Sequence, residues 1–309
     1  MKKLAALFMA ALLAVGVLAG CGGKDAEKTE AATTAAETDA QADTAQADTE
    51  EKETGSTDGT EEAAGTEGAS DSDMAYVKEK GKLVVGITEF EPMDYQNEAG
   101  EWIGFDADMA KAFAESLGVE AEFIVIDWDN KIMELDGKSI DCVWNGMTLT
   151  DEVKSAMECS KPYCENAQVV VVPADKADQY QDLDSLFTLS FAVEAGSAGE
   201  AELEKLADMG DLNYTPVGQQ ADALMEVAAG TSDAAVIDSL MAGAMVGEGT
   251  GYADLTYTVS LNGEEYGVGF RKGSDLADAL NQFFAESYAD GSMVKCAETY
   301  GVQAALIEQ

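Results

Sequence analysis

Residues 100–119 read GEWIGFDADMAKAFAESLGV and carry the clearest secondary-structure pattern of the chain. Apolar residues recur at helical spacing from Asp106 to Leu117, and Gly118 is typical of the residue that ends a helix. On either side stand short apolar segments, KLVVGIT from Lys82 to Thr88 and the segment from Ala121 to Ile126, which have the length of strands. The stretch therefore predicts a strand, helix and strand in succession.

This alternation of strand and helix continues to the end of the chain. Further strands are predicted at 140–144, 169–172, 191–193 and 234–237, and further helices after Ser197 and at 219–229, 275–288 and 293–300. Such alternation is typical of α/β folds, in which helices cover both faces of largely parallel sheets. Ligands of these folds bind beyond the carboxyl ends of the strands, where the segments TEFEP, DWD, NGMT, EAGS and IDS fall.

The first 73 residues predict export and anchoring. A basic start is followed by an apolar run from Leu4 to Val17, which is a signal-peptide pattern and too short for a membrane span. The sequence LAGC resembles a bacterial lipobox, which implies cleavage after residue 20 and lipid attachment to Cys21. Residues 24–73 contain no aromatic residue and no Leu, Ile or Val, so we expect a disordered acidic tether. Residues 1–20 are thus interpreted as the lipoprotein signal peptide, and residues 21–73 as the lipidated cysteine and tether.

The overall charge restricts the possible partners. The chain has 60 acidic and 18 basic residues, a net charge of −42. Nucleic acid and anionic lipid surfaces are poor partners for such a protein, whereas small cations are attracted to it. Solubility of an exported protein explains the same charge equally well.

The residue inventory argues against an enzyme. The chain has no histidine, so nucleophiles of the Ser-His and Cys-His type lack their usual base, and it has no phosphate-binding glycine loop. The cysteines show no zinc spacing, and Cys159 and Cys164 form either a short disulfide loop or, with Cys142 and Cys296, a set of reduced thiols. We therefore expect no catalytic residues, no cofactor and no metal.

In their order and spacing, several segments resemble the polar amino-acid family, family 3, of extracellular solute-binding proteins of ABC importers. The segments are KLVVGIT, GEWIGFDADMAKAFAESLGV, Trp128-Asp129, NGMTLT, SKPY, EAGS and DAAVID, and the resemblance as a whole spans residues 76–300. The resemblance implies a two-lobe periplasmic-binding-protein-like clamp of type II, with parallel-sheet-rich lobes joined by two hinge strands. We expect crossings near 167–171 and 265–270, with residues 74–168 plus 265–309 forming lobe 1 and residues 169–264 forming lobe 2.

The resemblance also implies which residues contact the ligand. Phe90 and Trp128 fall on the family's aromatic pair, and Asp238 falls on the lobe 2 carboxylate that binds the ligand's ammonium group. Core packing is the alternative role for the two aromatic residues, and helix capping is the alternative for Asp238. The other candidates are Asn145, Gly146 and Thr148 of NGMT, Ser197 and Ala198 of the EAGS turn, Val153, and Glu89 beside Phe90.

Val153 stands where the resemblance implies an arginine. The family's Thr-x-x-Arg motif places a guanidinium against the ligand's carboxylate, a two-pronged geometry that suits arginine. Here the corresponding residues, 150–153, read TDEV. The ligand's carboxylate therefore lacks its usual partner.

Three explanations of this substitution remain open. Backbone N–H groups near Thr148 and Ser197, with Lys154 in the arginine's role, would still accommodate an amino acid. Alternatively, the ligand is a cationic amine without a carboxylate, held by Asp238 and by cation–π contact. In the third explanation the clamp is a sensor or partner-binding protein that transports nothing. The expected function is that of a monomeric, membrane-anchored extracellular solute-binding protein that delivers an amino acid or amine to an ABC permease.

Overall fold

The computed structural model describes residues 72–309, which contain nine α-helices, three short 3-10 helices and thirteen strands in an α/β arrangement. The predicted signal peptide, Cys21 and nearly all of the tether lie outside this range. The helices are α1 Asp73–Lys80, α2 Phe105–Leu117, α3 Lys131–Asp136, α4 Asp151–Ala156, α5 Ala198–Ala207, α6 Gln220–Ala229, α7 Ser239–Met245, α8 Leu276–Ala289 and α9 Ser292–Tyr300. The strands are β1 Lys82–Ile87, β2 Tyr95–Gln96, β3 Trp102–Ile103, β4 Glu120–Val125, β5 Cys142–Thr148, β6 Glu158–Cys159, β7 Cys164–Asn166, β8 Gln168–Pro173, β9 Ser190–Glu194, β10 Asn213–Val217, β11 Ala234–Asp238, β12 Leu255–Ser260 and β13 Glu264–Phe270.

The first sheet forms the centre of lobe 1. Its strand order is β4-β1-β5-β13-β6, with β7 also paired to β13. Strand β1 is parallel to β4 and β5, whereas β13 runs antiparallel to β5. The central strands β1 and β5 are buried over almost their whole length, which explains the apolar runs of β1 and of the first half of β5 in the sequence.

The second sheet forms the centre of lobe 2, in the order β10-β9-β11-β8-β12. Strand β9 is parallel to β10 and β11, and β8 is antiparallel to β11 and β12. The three central strands are again almost wholly buried, and helices α5 and α6 pack against the sheet. Both sheets are therefore mixed, with parallel pairs at β1 and β9.

The chain passes twice between the two sheets. It crosses at Ala167, between β7 and β8, and returns through residues 261–263, between β12 and β13. The two passages run side by side, because Asn166 pairs with Glu264 and the Leu261 N–H donates to the Gln168 carbonyl at 2.8 Å. The expected second crossing at 265–270 was misplaced, since that whole segment belongs to the first sheet.

Most predicted elements are present, and their bounds differ by one or two residues. The strand expected at 140–144 is the exception: it begins at Cys142 and continues to Thr148, so NGMT forms its last residues rather than a following loop. Pairing with β13, which places Tyr266 opposite Thr148, extends this strand. Within residues 72–309, no helix combines the length and apolar composition needed to cross a bilayer.

Candidate ligand-binding site

A cavity of about 340 Å³ lies between the two lobes. It is formed by the segments that follow or end β1, β4, β5, β9 and β11, as the strand-end rule predicts. Nine of the ten residues predicted from the sequence line it: Phe90, Trp128, Asn145, Gly146, Thr148, Val153, Ser197, Ala198 and Asp238. The tenth, Glu89, is exposed and does not line the cavity, because the chain turns directly after it and buries Phe90 instead.

Phe90 and Trp128 are both buried at the cavity wall. The Phe90 ring packs edge-on against Tyr266, with the ring centroids 6.2 Å apart. The Lys131 ammonium lies 5.0 Å from the centroid of the Trp128 ring. Trp128 therefore already has a cation as an internal partner, which the sequence analysis did not anticipate.

Asp238 ends β11 and places its carboxyl group in the cavity wall, where it is 4% exposed. Its side chain does not cap α7, so the alternative role considered for it is wrong. Its carboxyl oxygens accept hydrogen bonds from the side chains of Asn166, Gln168, Gln220 and Tyr266. Burial, followed by the nearby Glu264 carboxyl, raises the pKa of Asp238 to about 8 despite these donors.

Glu194 is a second buried carboxyl group of the cavity that the sequence analysis missed. It ends β9 and is 2% exposed, and its Oε1 has no hydrogen-bond partner among residues 72–309. Burial and the charge of Asp238 raise its pKa well above the usual value. The one available signal was its position: a charged residue directly after the apolar run FAV, at a carboxyl strand end.

Lys131, at the start of α3, is the buried cation of the cavity. Its Nζ donates to the Trp128 carbonyl at 3.2 Å and to the Gly196 carbonyl at 2.8 Å. Burial lowers its pKa, and the charge of Glu152 is the largest effect that opposes this. Because Lys131 belongs to lobe 1 and Gly196 to lobe 2, the ammonium group joins the lobes across the cavity.

A match to a known family is consistent with this geometry. Residues 83–303 match the family model of bacterial extracellular solute-binding proteins, family 3. The chain belongs to this family. The two-lobe clamp predicted from the sequence is thereby confirmed, and the family and its relatives are binding proteins.

Three proteins illustrate what this solute-binding protein is similar to. The L-cystine-binding protein TcyJ of Escherichia coli (strain K12) is 29% identical over 231 residues, which cover 72% of this chain and 84% of TcyJ. The structure of an ancestral arginine-binding protein bound to arginine matches with a TM-score of 0.67 and 34% sequence identity. The match covers 71% of this chain and 98% of the ancestral protein. The ancestral amino acid-binding protein AncCDT-1, a precursor of cyclohexadienyl dehydratase, has a TM-score of 0.68 and 29% identity, and covers 74% of this chain and 99% of its own.

In this solute-binding protein, Val153 gives the cavity an apolar surface at the position of the expected arginine. It is buried and packs in one cluster with Trp128, Met147 and Met157. The Thr150 hydroxyl caps α4 by accepting a hydrogen bond from the Val153 N–H at 3.1 Å. Lys154, the replacement cation considered above, does not line the cavity, because it lies one position further along α4.

The two predicted hydroxyl groups already have partners within the solute-binding protein. Thr148 donates to Glu264 at 3.0 Å, and Ser197 caps α5 by accepting from the Glu200 N–H at 3.1 Å. Of the two alternatives for the cysteines, the set of reduced thiols is the one present, because Cys142, Cys159, Cys164 and Cys296 are all free. Residues 72–309 contain no cluster of three or more His, Cys, Asp or Glu side chains arranged to hold a metal ion.

Proposed function

We propose that this protein is the solute-binding component of an ABC importer and that it captures an amino acid between its lobes. The Asp238 carboxyl group carries the proposal, because it is buried at the cavity wall with the aromatic residues Phe90 and Trp128 and can ionise to pair with a bound cation. A buried carboxylate suits an ammonium group, since pairing offsets the cost of its burial. Two of the relatives described above bind L-cystine and arginine, which supports the same class of solute.

Lys131 is our candidate for the cation that replaces the missing arginine. It lines the same cavity as Val153 and lies near enough to Glu152 for that charge to affect its pKa. Two of its three N–H groups bond to carbonyls, and the third is available for a carboxylate. In this proposal Asp238 binds the ammonium end of the amino acid and Lys131 its carboxylate end.

A cationic amine without a carboxylate is the second candidate ligand. The neutral surfaces of Val153 and Ala198 in the cavity favour it, as does the excess of buried carboxyl groups, Glu194 and Asp238, over the single buried ammonium of Lys131.

We further propose that the protein is a monomer, lipid-anchored through Cys21 on the extracytoplasmic side. Membrane fractionation of a Cys21→Ala variant, which should be soluble, tests the anchor.

A thermal-shift screen tests the proposed function. Each amino acid is paired with the amine formed by its decarboxylation, for example arginine with agmatine and ornithine with putrescine. A bound solute at a hundred times its Kd stabilises the fold by about 2.7 kcal/mol, which is a measurable rise in Tm. We expect amino acids to raise Tm more than their amines, and Lys131→Met to remove that preference.

If the amines raise Tm more than their parent amino acids do, the amine is favoured as the ligand. Val153→Arg should then restore the preference for amino acids. If no amino acid or amine raises Tm, the proposed function is wrong and a sensor or partner-binding role takes its place.

Gly196 provides a test of closure, because its replacement by alanine adds no charged or hydrogen-bonding group to the cavity. It has a φ of +67°, and a Cβ there would lie 2.7 Å from the Asp129 Cα of lobe 1. Gly196→Ala is therefore expected to hold the lobes apart and to weaken solute binding about tenfold or more, since overpacking typically costs 1–3 kcal/mol. Calorimetric Kd values and the radius of gyration from small-angle scattering measure both effects.

Gly230→Ala is the matched control for this test. Gly230 also lies in lobe 2 with a φ of +73°, but a Cβ there meets no atom within 4 Å. Both variants place an alanine in the left-handed backbone conformation and are destabilised by it. Only Gly196→Ala adds a steric contact between the lobes. Equal Kd values for the two variants would contradict the closure argument.

A further inference from the structure

We propose that Glu264, at the hinge formed by the two passages, is a positioning residue of the solute site and acts on the bound solute through Asp238. In the empty protein Glu264 keeps a proton on Asp238, and the cationic group of the solute replaces that proton, which leaves to the solvent. This inference rests on the proposed function. It adds a residue that does not itself line the cavity.

The first argument is that hydrogen bonds from several directions hold the Glu264 carboxyl group at the hinge. Glu264 is the first residue of β13, directly after the second passage. Its Oε1 accepts from the Thr148 hydroxyl at 3.0 Å, the Asn166 Nδ2 at 2.7 Å and the Gln168 Nε2 at 2.8 Å. Its Oε2 accepts from the Asn262 Nδ2 at 2.9 Å. Because these donors come from lobe 1 and from both passages, the position of the carboxyl group is fixed.

The second argument is that two of these donors are shared with Asp238. The side-chain amides of Asn166 and Gln168 also donate to the Asp238 Oδ1, the latter at 3.0 Å. An amide nitrogen of this kind has two hydrogens, so each amide gives one to Asp238 and one to Glu264. Two acceptors of one nitrogen lie within roughly 6 Å of each other, which is twice the length of a hydrogen bond. At this separation the charge of Glu264 disfavours the ionised form of Asp238.

The third argument is that no basic side chain forms an ion pair with either carboxyl group in the described part of the chain. None of the ion pairs within 4.0 Å in residues 72–309 includes Asp238 or Glu264. The other titratable groups around the pair are Tyr266 of β13, Glu194 of β9 with the nearby Lys131 and Asp222, Glu202 of α5 with its partner Lys205, and Lys154, Glu165 and Glu265, which line a groove at the hinge together with Glu264. A cation bound at Asp238 would therefore offset the repulsion and allow both carboxyl groups to ionise.

Carbon-13 NMR of labelled aspartate carboxyl groups in the empty protein tests the inference. The Asp238 signal, identified by its loss in Asp238→Asn, should titrate with the pKa of about 8. Glu264→Gln keeps an acceptor for Asn166 and Gln168 but removes the charge, so the midpoint should fall by about one pH unit. Glu265→Gln is the control, because Glu265 is the next residue and is exposed. It should leave the midpoint unchanged.

The same variant should change the pH dependence of solute binding. L-arginine and agmatine are the calorimetric probes, one with and one without a carboxylate. For each probe that binds, the ratio of the Kd at pH 6 to the Kd at pH 8 should be about fivefold smaller in Glu264→Gln than in the wild type. A role of Glu264 in packing alone would change both Kd values by the same factor and leave this ratio unchanged.

An Asp238 midpoint that stays the same or rises in Glu264→Gln would overturn the inference, and so would an unchanged ratio of Kd values. If Glu264→Gln does not fold, the wild type provides the test. The Glu264 carboxyl signal, identified by its loss in Glu264→Asp, should move over the pH range in which Asp238 titrates, and a signal that does not move there would overturn the inference. A lowered midpoint without binding of any amino acid or amine would support the effect of Glu264 on Asp238 and contradict the proposed function.

Discussion

Affinity for a cationic solute is expected to increase steeply from pH 6 to pH 8, and Asp238→Asn is expected to abolish this increase. Burial holds the pKa of Asp238 at about 8 in the empty protein, so below that pH the carboxyl group carries a proton. Binding to an ammonium group requires the ionised form, and the proton must be released. The Kd should therefore fall by up to about tenfold for each pH unit gained below pH 8.

Asp238→Asn should also weaken binding by on the order of ten- to a hundredfold at pH 8, because the ammonium loses its charged partner. Calorimetric titrations at several pH values measure both effects, and buffers of different ionisation enthalpy report the released proton. Asp211→Asn is the control, since Asp211 is an exposed acid of the same lobe. It should bind the solute as the wild type does.

Tyr266→Phe separates the titration of Asp238 from a simple loss of the site. The Tyr266 hydroxyl donates to Asp238 at 2.5 Å, and this hydrogen bond favours the ionised carboxylate. Its removal should shift the rise in affinity to higher pH while binding at pH 9 persists. A Kd that does not change with pH in the wild type would show that Asp238 does not exchange a proton for the solute.

Stability of the empty protein is expected to decrease between about pH 4 and pH 7. Asp94 and Asp106 are fully buried in lobe 1, and neither Asp94 oxygen has a hydrogen-bond partner among residues 72–309. Asp106 accepts from the Gly146 N–H at 2.6 Å and from the Tyr163 hydroxyl at 2.7 Å, yet burial raises its pKa to about 7. Burial and the charge of Asp106 raise the pKa of Asp94 as well.

The sign of this effect follows from proton binding. Between pH 4 and pH 7 the unfolded chain has released these protons and the folded chain retains them, so each pH unit gained favours unfolding. The stability that the retained protons contribute is fully present below about pH 4 and is lost as the pH rises through the folded pKa values. For Asp106 alone the loss is on the order of 4 kcal/mol over this window. Thermal unfolding at pH 5, 6, 7 and 8 measures it.

Asp94→Asn should raise Tm at pH 8 and flatten its dependence on pH. The amide removes one buried charge, and this weakens the repulsion that each carboxylate exerts on the other. Asp136→Asn is the control, because Asp136 is an exposed acid of the same lobe and its replacement should leave the slope unchanged. A Tm that stays constant from pH 5 to pH 8, or a lower Tm for Asp94→Asn at pH 8, would contradict the prediction.

The clearest predictions from the sequence concerned local patterns. The helix from residue 105 to Leu117 was predictable because its buried residues recur with the period of a helix and Gly118, with a φ of +79°, ends it. The position of Asp238 at the cavity was predictable because it follows a buried strand, and ligands of α/β sheets bind at that edge. The crossing expected at 265–270 was misplaced because the sequence of a strand does not show which of the two sheets the strand joins.

The sequence by itself determined the alternation of elements and the strand ends that form the cavity, because these depend on the spacing of apolar residues along the chain. The resemblance of its motifs indicated the family. Only the tertiary structure decided which charged side chains are buried. Arg271 follows β13 and precedes Lys272 and Gly273, a sequence typical of an exposed turn, yet it is buried in ion pairs with Asp73, about two hundred residues away, and with Asp141. Glu194 and Lys131 are likewise buried, because burial depends on what packs against a residue from distant parts of the chain.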